Sequence, residues 1–446
     1  MPGGIFERYF GLKKKGTDLR TEVIAGITTF MTMSYIIFVN PDMLEKTGMD
    51  HNALVVATCL AAAVGTVLVG LFANAPIAMA PGMGLNAFFA YSLVLSGKMN
   101  WQTALGVVFL SGLLFFILTL AGLRRKLIEA IPPDLIAAIS VGIGVFITFI
   151  GLVNLGLIGS NPATLVTARA LNSSILIGLF GLIVMLVLEY RKIPGALLAG
   201  IIVSTLLAAL LGRVEAPASI VSGMPHISAV AFKLDIASAL KWSCAAAIFS
   251  LMFTDMFDSL GSLASCAKGA GMEDDQGRVQ GMGRLLAIDA IATMAGALLG
   301  TSTTTAYIES ASGIEQGGRS GVSALVCGLL FLPAMLFLPL IGCVPSYAIA
   351  PALIMVGMFM MRQIANIDFN DIARGFPAFT IIIMIPLSYS ISTGLAFGFT
   401  SFALLKVLTG QIREIKPAMW IIALLSLLFL SQDGLSALIS RISTGG

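Results

Sequence analysis

The chain has 446 residues, 57% of them hydrophobic and only 11% charged, with a net charge of +3 and a mean hydropathy of +0.97. That balance excludes a soluble globular protein, because apolar runs of about 17 to 25 residues recur from end to end, each long enough to cross a hydrocarbon core of about 30 Å. The small net charge says little about partners, since membrane topology dictates where basic residues go, and no nucleic-acid partner is expected.

The sequence reads as an all-α polytopic membrane protein. Residues 1–21 are charged and amphipathic (Arg8, Lys13, Lys14, Lys15, Arg20), without the short apolar core of a cleavable signal peptide, and read as a cytoplasmic lead-in. A first span covers about 22–39 and ends at Asn40-Pro41; a second covers about 53–72. The third apolar region is interrupted by Asn74-Ala-Pro-Ile-Ala-Met-Ala-Pro-Gly-Met-Gly84, after which a short helix runs over about 85–96. Two prolines and two glycines at membrane depth are the signature of a discontinuous helix. Spans follow at about 101–121, 135–152, 175–190 and 196–211, and a polar linker over 212–235 closes the first half.

The second half begins at about 239–264, carrying Asp255 and Asp258, and continues at about 285–300, carrying Asp289. Next comes Gly300-Thr-Ser-Thr-Thr-Thr-Ala-Tyr-Ile-Glu-Ser-Ala-Ser-Gly-Ile314, a second interrupted element in the same ordinal position as the first. Spans at about 322–341, 347–361, 377–389 and 394–408 complete it, and a shorter apolar segment over about 418–430 is expected to lie at the interface. The count is seven elements per half and fourteen in all. Seven is odd, so the halves enter the membrane from opposite sides, which makes a 7+7 inverted repeat. A cytoplasmic N-terminus places nineteen of the 26 Lys/Arg inside, among them Arg124, Arg125, Lys126 and Arg278, and six outside, in keeping with the positive-inside rule.

Two broken elements at matching positions of inverted halves point to a substrate site near the bilayer midplane. Lipid cannot satisfy bare N–H and C=O groups, so these polar stretches must be enclosed by protein or line a cavity. Extended pieces at 76–80 and 301–305 could pair backbone to backbone, with both half-helices offering free N–H groups to one pocket. Glu309, an intramembrane carboxylate, marks a functional site by default. Asp255 and Asp258 stand three residues apart and share one helix face, displaced by roughly 60°. These carboxylates could accept a substrate N–H and carry a proton, with backbone capping or hydroxyl binding between helices as the lesser alternative for Asp258. Asp289 suits a proton relay and a structural role equally. Asn86 can donate and accept at once, which suits a heterocycle edge, and also serves as interhelical glue elsewhere. Thr303, Thr304 and Thr305 could bind ligand or their own backbone. Phe88, Phe249, Phe253, Phe257 and Tyr307 could stack on a planar ring. The five scattered cysteines have no metal spacing, and His51 and His226 fall in loops, so no metal is expected.

Four long strings then carry a resemblance. Arg20-Thr-Glu-Val-Ile-Ala-Gly-Ile-Thr-Thr-Phe-Met-Thr-Met-Ser-Tyr-Ile-Ile-Phe-Val-Asn-Pro41, Ala80-Pro-Gly-Met-Gly-Leu-Asn-Ala-Phe-Phe89, Asp255-Met-Phe-Asp-Ser-Leu-Gly261 and Thr305-Ala-Tyr-Ile-Glu-Ser-Ala-Ser-Gly313 together resemble the AzgA-like purine permeases, a branch of the nucleobase:cation symporters. The resemblance covers nearly the whole chain. It implies a fourteen-segment inverted-repeat fold, in which a core domain (22–122 and 236–342) carries the site and a gate domain (132–211 and 344–409) scaffolds it; residues 410–446, with the extra apolar segment, lie outside the matching strings and are expected to form a cytoplasmic tail. It further implies uptake of a purine base such as hypoxanthine, guanine or adenine across the cytoplasmic membrane, with the proton as coupling ion and no cofactor. The family's important polar positions match Asn86, Asp255, Asp258 and Glu309.

From these readings the expected substrate contacts are Asn86, Asp255, Glu309, Thr304, Thr305 and Phe253. Asp258, Asp255 and Glu309 are the expected proton-coupling groups. A homodimer through the gate domain is an assembly such a fold allows. A xanthine- or uracil-type nucleobase carrier or an anion transporter of the same fold is the alternative, while an intramembrane enzyme lacks any nucleophile, metal or cofactor motif with catalytic spacing.

Overall fold

The computed structural model describes residues 5–122, 131–215, 217, 219–222, 226–274 and 279–444. Arg124, Arg125, Lys126 and Arg278, counted above on the cytoplasmic side, lie outside the described residues. Ten helices among the described residues are long and apolar enough to cross a membrane, and the shorter apolar helices are Met83–Leu95, Ala196–Leu210, Ile372–Ser388 and Pro417–Ser431.

In the first half, α1 (Leu19–Met33) and α2 (Ile36–Leu44) form one continuous span, followed by α3 (His51–Leu68). The helix does not end at Asn40-Pro41 as its sequence suggests. Both residues are buried inside α2, and the α-helical pattern is interrupted upstream instead, at Ser34–Tyr35. Proline removes a single backbone bond, and a fully enclosed turn tolerates the loss. Strand β1 (Met79–Pro81) precedes α4 (Met83–Ala87), which continues as a wider π turn over Phe88–Leu95. Then come α5 (Trp101–Leu120), α6 (Pro133–Asn154), α7 (Ser173–Tyr190) and α8 (Ala196–Leu210). A small hairpin of β2 (Ile158–Asn161) and β3 (Leu165–Ala168) joins α6 to α7 and has no counterpart in the sequence reading.

In the second half, α9 (Ala245–Gly269) starts six residues later than the hydropathy suggests, because Ile236–Ala239 forms a separate turn capped by Asp235. Next are α10 (Met282–Leu299), β4 (Thr304–Ala306), α11 (Ser310–Glu315), α12 (Gly321–Ala334), α13 (Ser346–Met361), α14 (Ile372–Ser388) and α15 (Ile391–Leu408). The last element, α16, spans Pro417–Thr444 and is longer than the expected interfacial segment.

Packing sorts these elements into two groups. α1 to α3, α5 and α9 to α12 pack on one another around the two strands, whereas α6, α7, α8, α13, α14 and α15 form a second group. Polar contacts tie the groups at one end: Ser346 Oγ donates to Asp42 Oδ1 at 2.5 Å, Lys46 Nζ donates to Asn154 Oδ1 at 2.7 Å, and Ser92 donates to the Tyr389 carbonyl.

Candidate substrate-binding site

Both interrupted elements meet, as an antiparallel ribbon of β1 and β4. The register pairs Met79 with Ala306, Ala80 with Thr305 and Pro81 with Thr304. The pairing therefore lies at 79–81 and 304–306, a few residues beyond the extended pieces expected at 76–80 and 301–305. Neighbours decide this. Gly82 N donates to the Thr303 carbonyl at 2.9 Å, Tyr307 N donates to the Ala78 carbonyl at 3.0 Å, and Thr66 Oγ1 both donates to Met79 O and accepts from Met79 N at 2.9 Å. A ribbon of six residues has two exposed edges, and each backbone group left bare at membrane depth costs several kcal/mol, roughly. Helix side chains remove that cost. Gly65 and Gly296 let the helices come this close: a Cβ on Gly296 would fall 2.5 Å from Thr304 Oγ1, and one on Gly65 would fall 3.2 Å from Met79 Cβ.

Around the ribbon the expected site residues divide into three places. Asp255 is buried, and Thr293 Oγ1 lies 3.1 Å from its Oδ2 and 3.0 Å from the Thr304 carbonyl oxygen. The Thr293 hydroxyl has one proton, and a carbonyl can only accept, so whenever Thr293 donates to Thr304 its contact with Asp255 needs a proton on the carboxyl. Asp289 is tied to the same ribbon through Ser259, whose Oγ lies 2.6 Å from Asp289 Oδ2 and 2.6 Å from Thr305 Oγ1. Asp255 Oδ1, Asp289 Oδ1 and the hydroxyls of Thr303 and Thr304 are buried with no hydrogen-bond partner among the described residues.

The second place is the start of α11. Glu309, partly buried, accepts from Tyr35 OH at 2.7 Å, and the ring of Tyr35 lies 6.5 Å from that of Tyr307, whose own OH donates to the Pro81 carbonyl at 2.6 Å. α9 packs on α11, which brings the helix that carries Asp258 against the element that Glu309 opens. Phe253 sits in an aromatic cluster, stacked on Phe249 at 5.5 Å and edge-on to Phe257 and Phe399.

Asn86 occupies the third place. It is buried and bonds none of these carboxylates; its Nδ2 donates to Asn40 Oδ1 at 2.7 Å and its Oδ1 accepts from Ser302 Oγ. Sequence reasoning did not single out Tyr35, Asn40, Thr293 or Ser259. Tyr35 and Asn40 fall inside the first of the quoted strings, and that was the one signal available for them.

A membrane-embedded ribbon ringed by carboxylates, with short helices leading away from it, defines a multi-pass transporter. The family model Xan_ur_permease, described as "Permease family", matches residues 20–397, and the chain belongs to that family. It is a transporter and not an enzyme. Among its relatives, the adenine permease AdeP of Escherichia coli (strain K12) is 44% identical over 95% of this chain and 96% of its own length. The guanine/hypoxanthine permease PbuG of Bacillus subtilis (strain 168) is 40% identical over 92% and 96%. The solved transmembrane domain of a cyanobacterial bicarbonate transporter, BicA, aligns with a TM-score of 0.66 at 16% identity, covering 84% of this chain and 97% of that one, and shares the fold.

Proposed function

We propose that this permease is a secondary active transporter that imports purine nucleobases together with protons across the cytoplasmic membrane. The observation that carries the reading is the ribbon with its surrounding carboxyls, where Asp255 Oδ1 and Asp289 Oδ1 are buried acceptors with no donor among the described residues. A neutral purine presents ring N–H donors beside ring-nitrogen acceptors. Glu309 and Asp255 would answer the donors, the hydroxyls of Thr304 and Thr305 the acceptors, and the Phe253 cluster would border the ring. Asn86 keeps one amide N–H and one carbonyl lone pair beyond its two protein bonds and meets the base with these. Such a pocket discriminates strongly, because an analogue lacking a matching group leaves buried polar atoms unpaired.

Asp258, Asp255 and Glu309 are the proposed proton carriers; no cofactor is involved. The Thr293 geometry supports this role for Asp255, since one of its hydrogen-bond arrangements requires a protonated carboxyl. In this reading the fourteen elements form a 7+7 inverted repeat with the N-terminus in the cytoplasm. The packing group around the ribbon is the core domain, and the other, through which a homodimer would form, is the gate domain. Alternating access is motion of one against the other. An anion carrier would set neutral or basic groups, rather than Glu309 and Asp258, around the ribbon, and the BicA likeness extends to fold alone.

The test is uptake of radiolabelled adenine, guanine and hypoxanthine by cells lacking their own purine carriers. Accumulation above the external concentration that collapses with a protonophore is expected. Uptake that ignores the protonophore removes proton coupling, and no uptake of any purine removes the substrate assignment.

A further inference from the structure

We infer that Thr58 and Asn40 are positioning residues that set the donor–acceptor polarity of the Asn86 amide, and through it the site's preference among purines. The inference rests on the reading of Asn86 as a residue that contacts the base.

The argument starts at a backbone carbonyl. Thr58 Oγ1 lies 2.6 Å from the Leu54 carbonyl oxygen, which can only accept, so the single hydroxyl proton of Thr58 is committed there. Toward Asn40, Thr58 can then only accept, and Asn40 turns its Nδ2 to it at 2.7 Å, with the second N–H reaching Thr301 Oγ1 at 2.9 Å. The amide oxygen of Asn40 is left facing Asn86, which must present its Nδ2, at 2.7 Å. That leaves the oxygen of Asn86 toward Ser302, which donates to it. Thr58, Asn40, Asn86, Thr301 and Ser302 are all fully buried, so bulk water does not compete for these links.

Without the Thr58 hydroxyl the chain has a second solution. Thr301 would donate to Asn40, Asn40 to the oxygen of Asn86, and the amide nitrogen of Asn86 to Ser302. Each arrangement leaves one Asn40 N–H without an acceptor, so nothing separates them. Thr58 breaks the tie. Reversal exchanges the donor and acceptor that Asn86 holds toward a ligand. Hypoxanthine and adenine differ by such an exchange, a keto against an amino group at one ring carbon.

The experiment measures inhibition constants of unlabelled hypoxanthine and adenine against uptake of the best labelled purine, in wild type, Thr58→Val and Thr58→Ser. Valine keeps the shape and removes the hydroxyl; serine keeps the hydroxyl. We expect Thr58→Val to change the ratio of the two constants by about tenfold, with Thr58→Ser at the wild-type ratio; Thr58→Cys serves if the valine variant does not accumulate. A merely structural role would lower both affinities alike. An unchanged ratio in Thr58→Val, or an equal change in Thr58→Ser, overturns the inference. Asn86→Asp, which can only accept when ionised, separates the layers. If it shifts the ratio while Thr58→Val does not, only the positioning role falls; if it too leaves the ratio unchanged, the contact between Asn86 and base falls with it. Absence of competition by either base in wild type sinks the purine reading and the inference together.

Discussion

Two polar networks are buried against the β1–β4 ribbon, and they are built on opposite terms. The one running from Thr58 through Asn40 and Asn86 to Ser302 is fully paired at its centre: both N–H groups of Asn40 and its oxygen have partners. The one running through Asp255, Thr293, Ser259 and Asp289 ends in carboxylate oxygens with no donor among the described residues. A satisfied network holds one geometry, because any change leaves a desolvated group unpaired. An incomplete one is ready to take a proton or a ligand N–H. The contrast assigns them different work: the first holds the ribbon in register and orients the one amide, Asn86, that it turns toward the base, while the second offers the base open acceptors and a place for the proton.

Substitutions can break this contrast, and the largest effect is expected at Glu309. Glu309→Gln keeps an acceptor for Tyr35 but removes the ionisable group, so it should lower purine uptake by about 100-fold or more, in line with an intramembrane charge being retained for function. Melting in detergent should stay close to wild type. Uptake near wild type would remove Glu309 from the transport site. Next is Asn40→Leu, which breaks the paired network and strands the Asn86 amide. A loss of about 1 to 3 kcal/mol of stability is expected, read as a lower melting temperature; an unchanged melt would show that the network does not hold the ribbon. Ser259→Ala is the mildest. It removes one link between Thr305 and Asp289 in a network that is already incomplete, and should cost about 1 kcal/mol or less while slowing uptake several-fold. A stability loss as large as that of Asn40→Leu would erase the distinction between the two networks.

Much of this site was legible in the sequence, for a simple reason. Glu309, Asp255 and Asp258 stand out because an apolar background makes each carboxylate visible, and Pro76, Pro81, Gly82 and Gly84 announce a broken helix without help from any partner. The ribbon's register was not legible, because Thr301, Ser302, Thr303, Thr304 and Thr305 are nearly interchangeable small polar residues. Contacts from Thr66, Gly82 and Tyr307 choose among them. Nor did Thr293, Ser259 or Thr58 stand out. A hydroxyl in a membrane helix usually bonds its own backbone, as Thr58 does at Leu54, and the other partners of these three lie between 11 and 46 positions away in the chain. The sequence puts the end of the first span at Asn40-Pro41 because proline is a strong local signal, while the burial that overrides it is not local at all.

The sequence by itself determined that the chain crosses a membrane many times, where its two elements are interrupted, and which carboxylates lie at membrane depth. All three depend on solvation, and a residue's preference for lipid or water travels with the residue. Tertiary structure alone decided which strand residues pair, that Asn86 is bound to Asn40 and Ser302, and that Glu309 faces Tyr35. Those are matters of direction. A hydrogen bond needs its donor aimed at its acceptor, and only the packed helices fix the aim.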